Sequence, residues 1–409
     1  MVPKLRFEGF NKNWAVKKLE NVFSFKNGLN ASKEMYGKGI KFINVLDIIN
    51  NEKITFDVIQ ESVEATNEQI STYQVRQGDI VFQRSSETRD EVGQANVYAD
   101  SETVLFGGFV IRARPLININ STFLNFQLKT DALRKDITQR SGGSTRYNIG
   151  QDSLGKVTAF FPEIREQEKI ANFLSSVDEK MALLNKQYEL LCQYKKGMMQ
   201  KIFSQEVRFK NENDKDFPEW EQKKIREITS LIKDGTHGTH NNVTESDFFL
   251  LSAKNIQEGK VAIDKNDRKI SEIEFRAIFK NYNLAQGDIL LSVVGTIGRV
   301  AIYSEQYANY AFQRSVAFFR FTQDLPEFIY QLFNATKFQK ELIIRQVISA
   351  QPGIYLGDLA DISLEIPVQK EQMKIANFLS ALDDKIAAKK VELDKLKTWK
   401  QGLLQQMFV

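Results

Sequence analysis

The sequence predicts a mixed α+β (α/β) protein with two tandem-repeated globular domains, separated by two long antiparallel helices that form a coiled coil. Three observations predict it. A stretch of about forty residues occurs twice at one offset, each copy carries a heptad stripe, and each follows short apolar runs broken by glycine-bearing turns.

Residues 162–203 reappear without a gap as 367–408. PEIREQEKIANFLSSVDEK faces PVQKEQMKIANFLSALDDK, and the tails share Lys195 with Lys400, Gly197 with Gly402, Gln200 with Gln405 and Phe203 with Phe408. The chain is a tandem duplication. Its expected divisions are a first domain at 1–161, a first long helix at 162–204, a second domain at 205–366 and a second long helix at 367–409.

In the first copy Ile170, Leu174, Val177, Met181, Leu184, Tyr188, Leu191, Met198 and Ile202 recur at steps of four and three, which is a heptad seam. The second copy runs Ile375, Leu379, Leu382, Ile386, Leu393, Leu396, Leu403 and Met407, broken by Lys389 and Lys400. Helices of this size are about 60 Å long, and one apolar stripe needs another to cover it. The economical cover is the other copy; each helix packing on its own preceding domain, or pairing between chains, stays open. A parallel in-register pair would bring Lys195 and Lys400 together in the seam. The antiparallel pair avoids this, setting Lys195 near Phe378 and Lys400 near Phe173.

At 409 residues, 42% apolar and 26% charged with seven prolines, the chain has material for two packed cores. A net charge of +4 is compatible with a polyanionic partner without requiring one. The lone cysteine, Cys192, excludes an intramolecular disulfide framework, suits a reducing compartment and reads as a packing residue. No run has the length of a signal peptide or approaches about eighteen apolar residues. A soluble cytoplasmic protein without membrane contact is expected.

The repeat extends faintly into the globular halves. Arg6-Phe7 parallels Arg208-Phe209, and Trp14 parallels Trp220. KFINVLDI at 41–48 stands against LLSAKNI at 250–256, each strand-like. VRQGDIVF at 75–82 matches LAQGDILL at 284–291, where Gly78 and Gly287 supply a permissive turn position before a strand. Amphipathic helical patches follow at 123–135 and 326–345, then polar segments at 140–150 and 348–357. Strands at 157–161 and 362–366 return to Pro162 and Pro367, placed as prolines just inside a helix start. Strand order is not derivable from this pattern.

Catalytic motifs are missing. GQDSLGKV at 150–157 has Walker A spacing but carries Val157 where Ser or Thr must reach magnesium, and it feeds a strand. The absence of any Pro-Pro dipeptide excludes the Asp/Asn-Pro-Pro-aromatic motif of amino-group methyltransferases. The only histidines, His237 and His240, lie in KDGTHGTHNN, a thin basis for a metal and better read as loop residues.

The halves share a scaffold and differ in loops, and the loops carry groups that suit base edges and phosphates. Candidate contacts in the first half are Lys26, Asn27, Arg84, Arg89, Arg140, Ser144, Thr145, Arg146 and Tyr147. In the second they are Lys233, His237, Thr239, His240, Lys254, Asn255, Thr296, Arg299, Gln313, Arg314, Gln351 and Tyr355.

This pattern resembles the specificity subunit of type I restriction-modification systems over essentially the whole chain. Pro162 with EQEKIANFL, Pro367 with EQMKIANFL, the QGDI turns, the DGTH loop and GTIG at 295–298 carry the resemblance. It implies two target-recognition domains, each reading half of a split, asymmetric site on double-stranded DNA. It also implies no catalysis and no cofactor in this chain: S-adenosylmethionine, ATP and magnesium would belong to two methyltransferase subunits and to restriction subunits. The helices would dock the methyltransferases, with Ile170, Phe173, Leu174, Leu184, Ile375, Phe378, Leu379 and Leu396 as candidate contacts. The loop at 85–94, SSETRDEVGQ, departs from its counterpart at 293–299, VVGTIGR. A coiled-coil scaffold or dimerisation protein with two protein-binding domains, and a nuclease with a cryptic site, are the alternatives.

Overall fold

The computed structural model describes residues 2–347 and 352–409. The chain forms two compact units, Met1–Lys186 with Val391–Val409, and Gln187–Lys390.

The two units repeat one strand order. In the first, an antiparallel sheet runs Phe23–Asn27, Val110–Pro115, Ile80–Gln83, Ala95–Val97; in the second, Thr229–Asp234, Val316–Phe321, Ile289–Ser292, Val300–Ile302. A three-stranded sheet joins each, ordered Ser62–Val63, Tyr36–Ile43, Leu105–Phe106 and Lys269–Ile270, Phe248–Leu251, Tyr310–Phe312, with the last pair parallel. Ala15–Lys18 pairs Thr158–Phe161, and Glu221–Lys224 pairs Ser363–Ile366, both antiparallel.

The QGDI turns feed the central strands as expected. Gly78 and Gly287 hold φ of 86° and 92°, where a side chain would be strained. The following aspartates close the turns, Asp79 accepting from Arg76 N at 2.9 Å and Asp288 from Ala285 N at 2.8 Å. Both are buried and each pairs at 2.7 Å with an arginine of the neighbouring strand, Arg114 or Arg320. The Asp288 hydrogen bond raises the Arg320 pKa.

Two expectations about local structure need correction. The runs at 41–48 and 250–256 are not strands throughout: they stop at Ile43 and Leu251. Asn44 N then donates to Asp47 Oδ2 at 2.7 Å to open a helix at Val45–Ile49, and Ser252 N donates to Asn255 Oδ1 at 3.0 Å to open a turn at Ala253–Asn255. Short polar side chains at these positions satisfy the orphan donors of a helix start, and that local bond overrides the apolar run. The helical patches likewise split into Ser121–Leu128 with Asp131–Gln139, and Pro326–Asn334 with Thr336–Ile344. A single extended residue, Thr130 or Ala335, turns the chain between them.

The long helices are Ile164–Phe203 and Gln369–Met407. Pro162 and Pro367 stand two residues outside them, and their carbonyls accept from Gln167 Nε2 at 2.8 Å and Gln372 Nε2 at 3.0 Å. The other amide atom of each glutamine accepts a domain backbone N–H, from Asn120 and from Leu325, both at 3.0 Å. The preceding glutamates, Glu166 and Glu371, are fully buried and held by Arg6 and Arg208. The repeated Glu-Gln dipeptide fastens each helix start to its domain.

Within each unit the first turns of one long helix lie against the last turns of the other, which makes the pair antiparallel. In the first unit Trp399 meets Phe173 edge-on at 6.1 Å and Lys400 Nζ lies 2.5 Å from Asp178 Oδ1. In the second, Lys195 Nζ lies 2.6 Å from Asp383 Oδ1, further along the helix than the Phe378 neighbourhood expected for it. The seam also completes the domain cores. Ile170, Leu174 and Val177 pack with Trp14, Phe123, Leu403 and Met407, and Ile375, Leu379 and Leu382 with Ile202, Phe203, Phe328 and Ile362. The start of each stripe is thus covered both by its preceding domain and by the end of the other helix. Among the described residues no helix is long and apolar enough to cross a membrane.

Candidate nucleic-acid interface

In the second unit the strand Thr229–Asp234 ends at Gly235, where a Cβ would overlap the carbonyl oxygens of Phe312 and Gln313. Only glycine permits that approach. It laces the DGTH loop to the FQRS turn: Thr236 N donates to Phe312 O at 2.8 Å, Arg314 N to Thr236 O at 3.0 Å, and Gln313 N to Leu251 O at 2.8 Å. A recess of about 420 Å³ opens beside them, lined by Asp234, His237, Val293, Val294, Arg314 and Tyr355 among others.

Three of the predicted residues, His237, Arg314 and Tyr355, converge on this recess from loops far apart in the chain. Asp234 Oδ2 holds the His237 ring at 2.8 Å. His240 goes elsewhere: its Nε2 lies 2.8 Å from Thr236 Oγ1 and its Nδ1 3.6 Å from Glu274, so the two histidines have separate partners. Among the described residues no three His, Cys, Asp or Glu side chains gather to hold a metal. Tyr355 is 68% exposed, and Thr239 and Thr296 are also exposed.

Other predicted cations are already engaged. Lys233 Nζ donates to Asn281 O at 2.6 Å, and Arg299 Nη1 to the carbonyls of Lys254 and Ile256, both at 3.3 Å. Lys254 pairs with Asp267 at 2.6 Å, which raises its pKa. Asn255 is not a surface contact at all: it is buried, with its amide donating to Asp267 at 2.7 Å and Ala262 O at 2.9 Å. Its role is to hold the turn that Ser252 opens. Gln351 lies outside the described residues.

The first unit repeats the backbone with other side chains. A Cβ on Gly28 would overlap Gly107 O, as on Gly235, and Leu29 N donates to Phe106 O at 2.9 Å. Lys26 lies over the Tyr73 ring at 5.4 Å, and Asn27 is half-buried beside it on the same strand. Arg84 Nη1 donates to Gly108 O at 3.4 Å, Arg89 Nε to Thr138 O at 3.3 Å, and Arg140 pairs with Asp136 at 2.9 Å. Ser144, Thr145 and Arg146 are exposed, while Tyr147 packs on the core. Sequence reasoning missed Asp234, Asn30 and Phe109, the last 63% exposed at the tip of FGGF. The signal was available: Phe106-Gly-Gly-Phe109 aligns with Phe312-Gln-Arg-Ser315 once the strands before them are matched.

The residues expected to dock partners are mostly unavailable. Ile170, Leu174, Leu184, Ile375 and Leu379 are buried, because the seam faces the domain core and the other helix. Phe173 is wedged between Phe7 at 5.6 Å and Trp399, Phe378 packs on Phe209 at 5.7 Å, and Leu396 lies against the first core. The long helices instead present Tyr194, 52% exposed, and Trp399, 49% exposed, at equivalent positions of the two copies.

The profile described as type I restriction modification DNA specificity domain matches twice, over residues 11–193 and 218–398. The chain is 23% identical to the type I restriction enzyme EcoKI specificity subunit of Escherichia coli, over 91% of its length and 82% of that protein. It is 22% identical to the MjaIX specificity subunit of Methanocaldococcus jannaschii, over 97% and 93%. A crystal structure of a type I restriction-modification system S subunit from M. genitalium has the same fold, with TM-score 0.60 and 17% identity over 100% of this chain and 99% of that one.

Proposed function

This chain belongs to the type I restriction-modification DNA specificity family and serves DNA sequence recognition; we propose that each compact unit reads one half of a bipartite, asymmetric site on double-stranded DNA. One observation carries this. The two units keep the same loop backbone, with Gly28 N to Val110 O and Gly235 N to Val316 O both at 3.1 Å, yet present different side chains from it. Asn27-Gly-Leu-Asn30 with Phe106-Gly-Gly-Phe109 stands where the other unit has Asp234-Gly-Thr-His237 with Phe312-Gln-Arg-Ser315. A kept scaffold with exchanged base-reading groups is what two unlike half-sites require.

In this reading the chain makes and breaks no bond. S-adenosylmethionine, ATP and magnesium act in partner subunits, and the long helices recruit two methyltransferases. Half-exposed aromatic side chains on a rigid helix suit that task, since aromatic anchors dominate interface energy. Tyr194 and Trp399 offer one such anchor per repeat.

Exchanging residues 211–366 for the same region of a relative, then sequencing methylated bases in the host genome, tests the reading. One half-site should change and the other stay. Both changing together overturns the assignment of one half-site to each unit.

A further inference from the structure

We propose that Arg314 is a specificity-determining residue of the second half-site and reads the edge of a guanine in the major groove. This rests on the reading that each unit contacts DNA.

Base reading demands a side chain launched from a fixed backbone, and the FQRS turn is fixed from both sides. Arg314 N is held by Thr236 O, Val316 N donates to Gln313 O at 3.0 Å, Ala253 N to Ser315 Oγ at 3.0 Å, and Val293 N to Ser315 O at 2.9 Å. From this turn the Arg314 side chain lines the recess and is exposed. Nearby cations are engaged, Arg299 by two carbonyls and Lys254 by Asp267. Among the described residues the Arg314 guanidinium has no hydrogen-bond or ion-pair partner, so its five donors are available.

The other repeat separates base reading from phosphate binding. Both half-sites present the same phosphates, so a phosphate-binding arginine would be useful at this position in both units. The equivalent residue in the first unit is Gly108, and the Asn30 side-chain oxygen fills the space that a Cβ there would need. Asn30 itself is the counterpart of His237. On a shared turn backbone, this position carries a planar fork in one unit and no side chain in the other. A guanidinium fork matches the O6 and N7 acceptors of guanine bidentately.

The test uses the chain assembled with its methyltransferase partners and a set of duplexes varied one base pair at a time. Wild type should require G at one position of the second half-site. Arg314→Ala should relax that position alone, by about five- to hundredfold in relative affinity, with the first half-site unchanged. Arg314→Lys should keep overall affinity and still lose the preference, because an ammonium cannot reproduce the fork. Uniform weakening of all sequences by Arg314→Ala, repaired by Arg314→Lys, would make Arg314 a phosphate contact and overturn the proposal. A wild-type complex without any sequence preference would overturn the underlying reading as well, and is told apart by needing no variant.

Discussion

Lys195 Nζ lies 2.6 Å from Asp383 Oδ1, and its repeat-mate Lys400 lies 2.5 Å from Asp178, the repeat-mate of Asp383. The lysine of each copy thus pairs with the aspartate of the other, which only an antiparallel arrangement permits. The surroundings differ. In the first unit Lys400 also reaches Glu52 at 3.2 Å and lies 5.8 Å above the Phe126 ring; in the second, Asp383 accepts from Gln331 at 2.8 Å.

Lys400→Met should therefore be costly, at most about 3 kcal/mol, because it leaves the largely buried Asp178 without its closest partner. Burial already raises the Asp178 pKa, and Lys400 opposes that rise. A raised acid is least unfavourable when protonated, so the deficit of the variant should be largest at neutral pH. It should shrink as pH falls through the raised value toward the ordinary aspartate range near 3.9. Denaturant titrations of both proteins at several pH values check this, and a deficit independent of pH would assign the cost to lost packing.

Gly235→Ala should leave the first unit untouched and disturb the second. A Cβ at Gly235 meets two carbonyl oxygens that cannot move without shifting the FQRS turn. Overpacking of this kind costs about 1–3 kcal/mol. Binding to duplexes with either half-site altered should show discrimination lost at the second half-site and kept at the first.

Tyr194→Ala and Trp399→Ala should each remove one methyltransferase from the complex, and the double variant both. Loss of an aromatic anchor typically weakens an interface by about 2 kcal/mol or more. Mass measurement of the assembled complex reads the stoichiometry directly, and two methyltransferases retained by the double variant would place docking elsewhere.

DNA affinity should fall steeply with salt, because phosphate contacts release counterions. The slope of log affinity against log salt should be the same for wild type and Arg314→Lys, which keeps every positive charge. A flat response in wild type would contradict an interface built on phosphates.

The Glu166-Gln167 and Glu371-Gln372 dipeptides mark the division between what sequence determined and what it did not. Periodicity and duplication are local or self-comparing signals, so the heptad seams, the tandem repeat, the antiparallel sense argued from Lys195 and Lys400, and the family were all legible in the chain. The purpose of the dipeptides was not, since Arg6 and Arg208 reach them only after the domain has folded back on its helix. For the same reason seam residues such as Ile170 and Leu379 could be placed on a stripe but not known to be buried on two sides. Asn255 looked like its exposed neighbour Lys254 until Asp267 was brought beneath both. Asp234, His237 and Arg314 share one recess because the parallel contact of Thr236 with Gln313 draws two distant loops together, and Tyr355 joins them through the separate bridge of Val294 with Gly353. Sheet pairing across such separations depends on which strands meet, and the tertiary structure alone decides that.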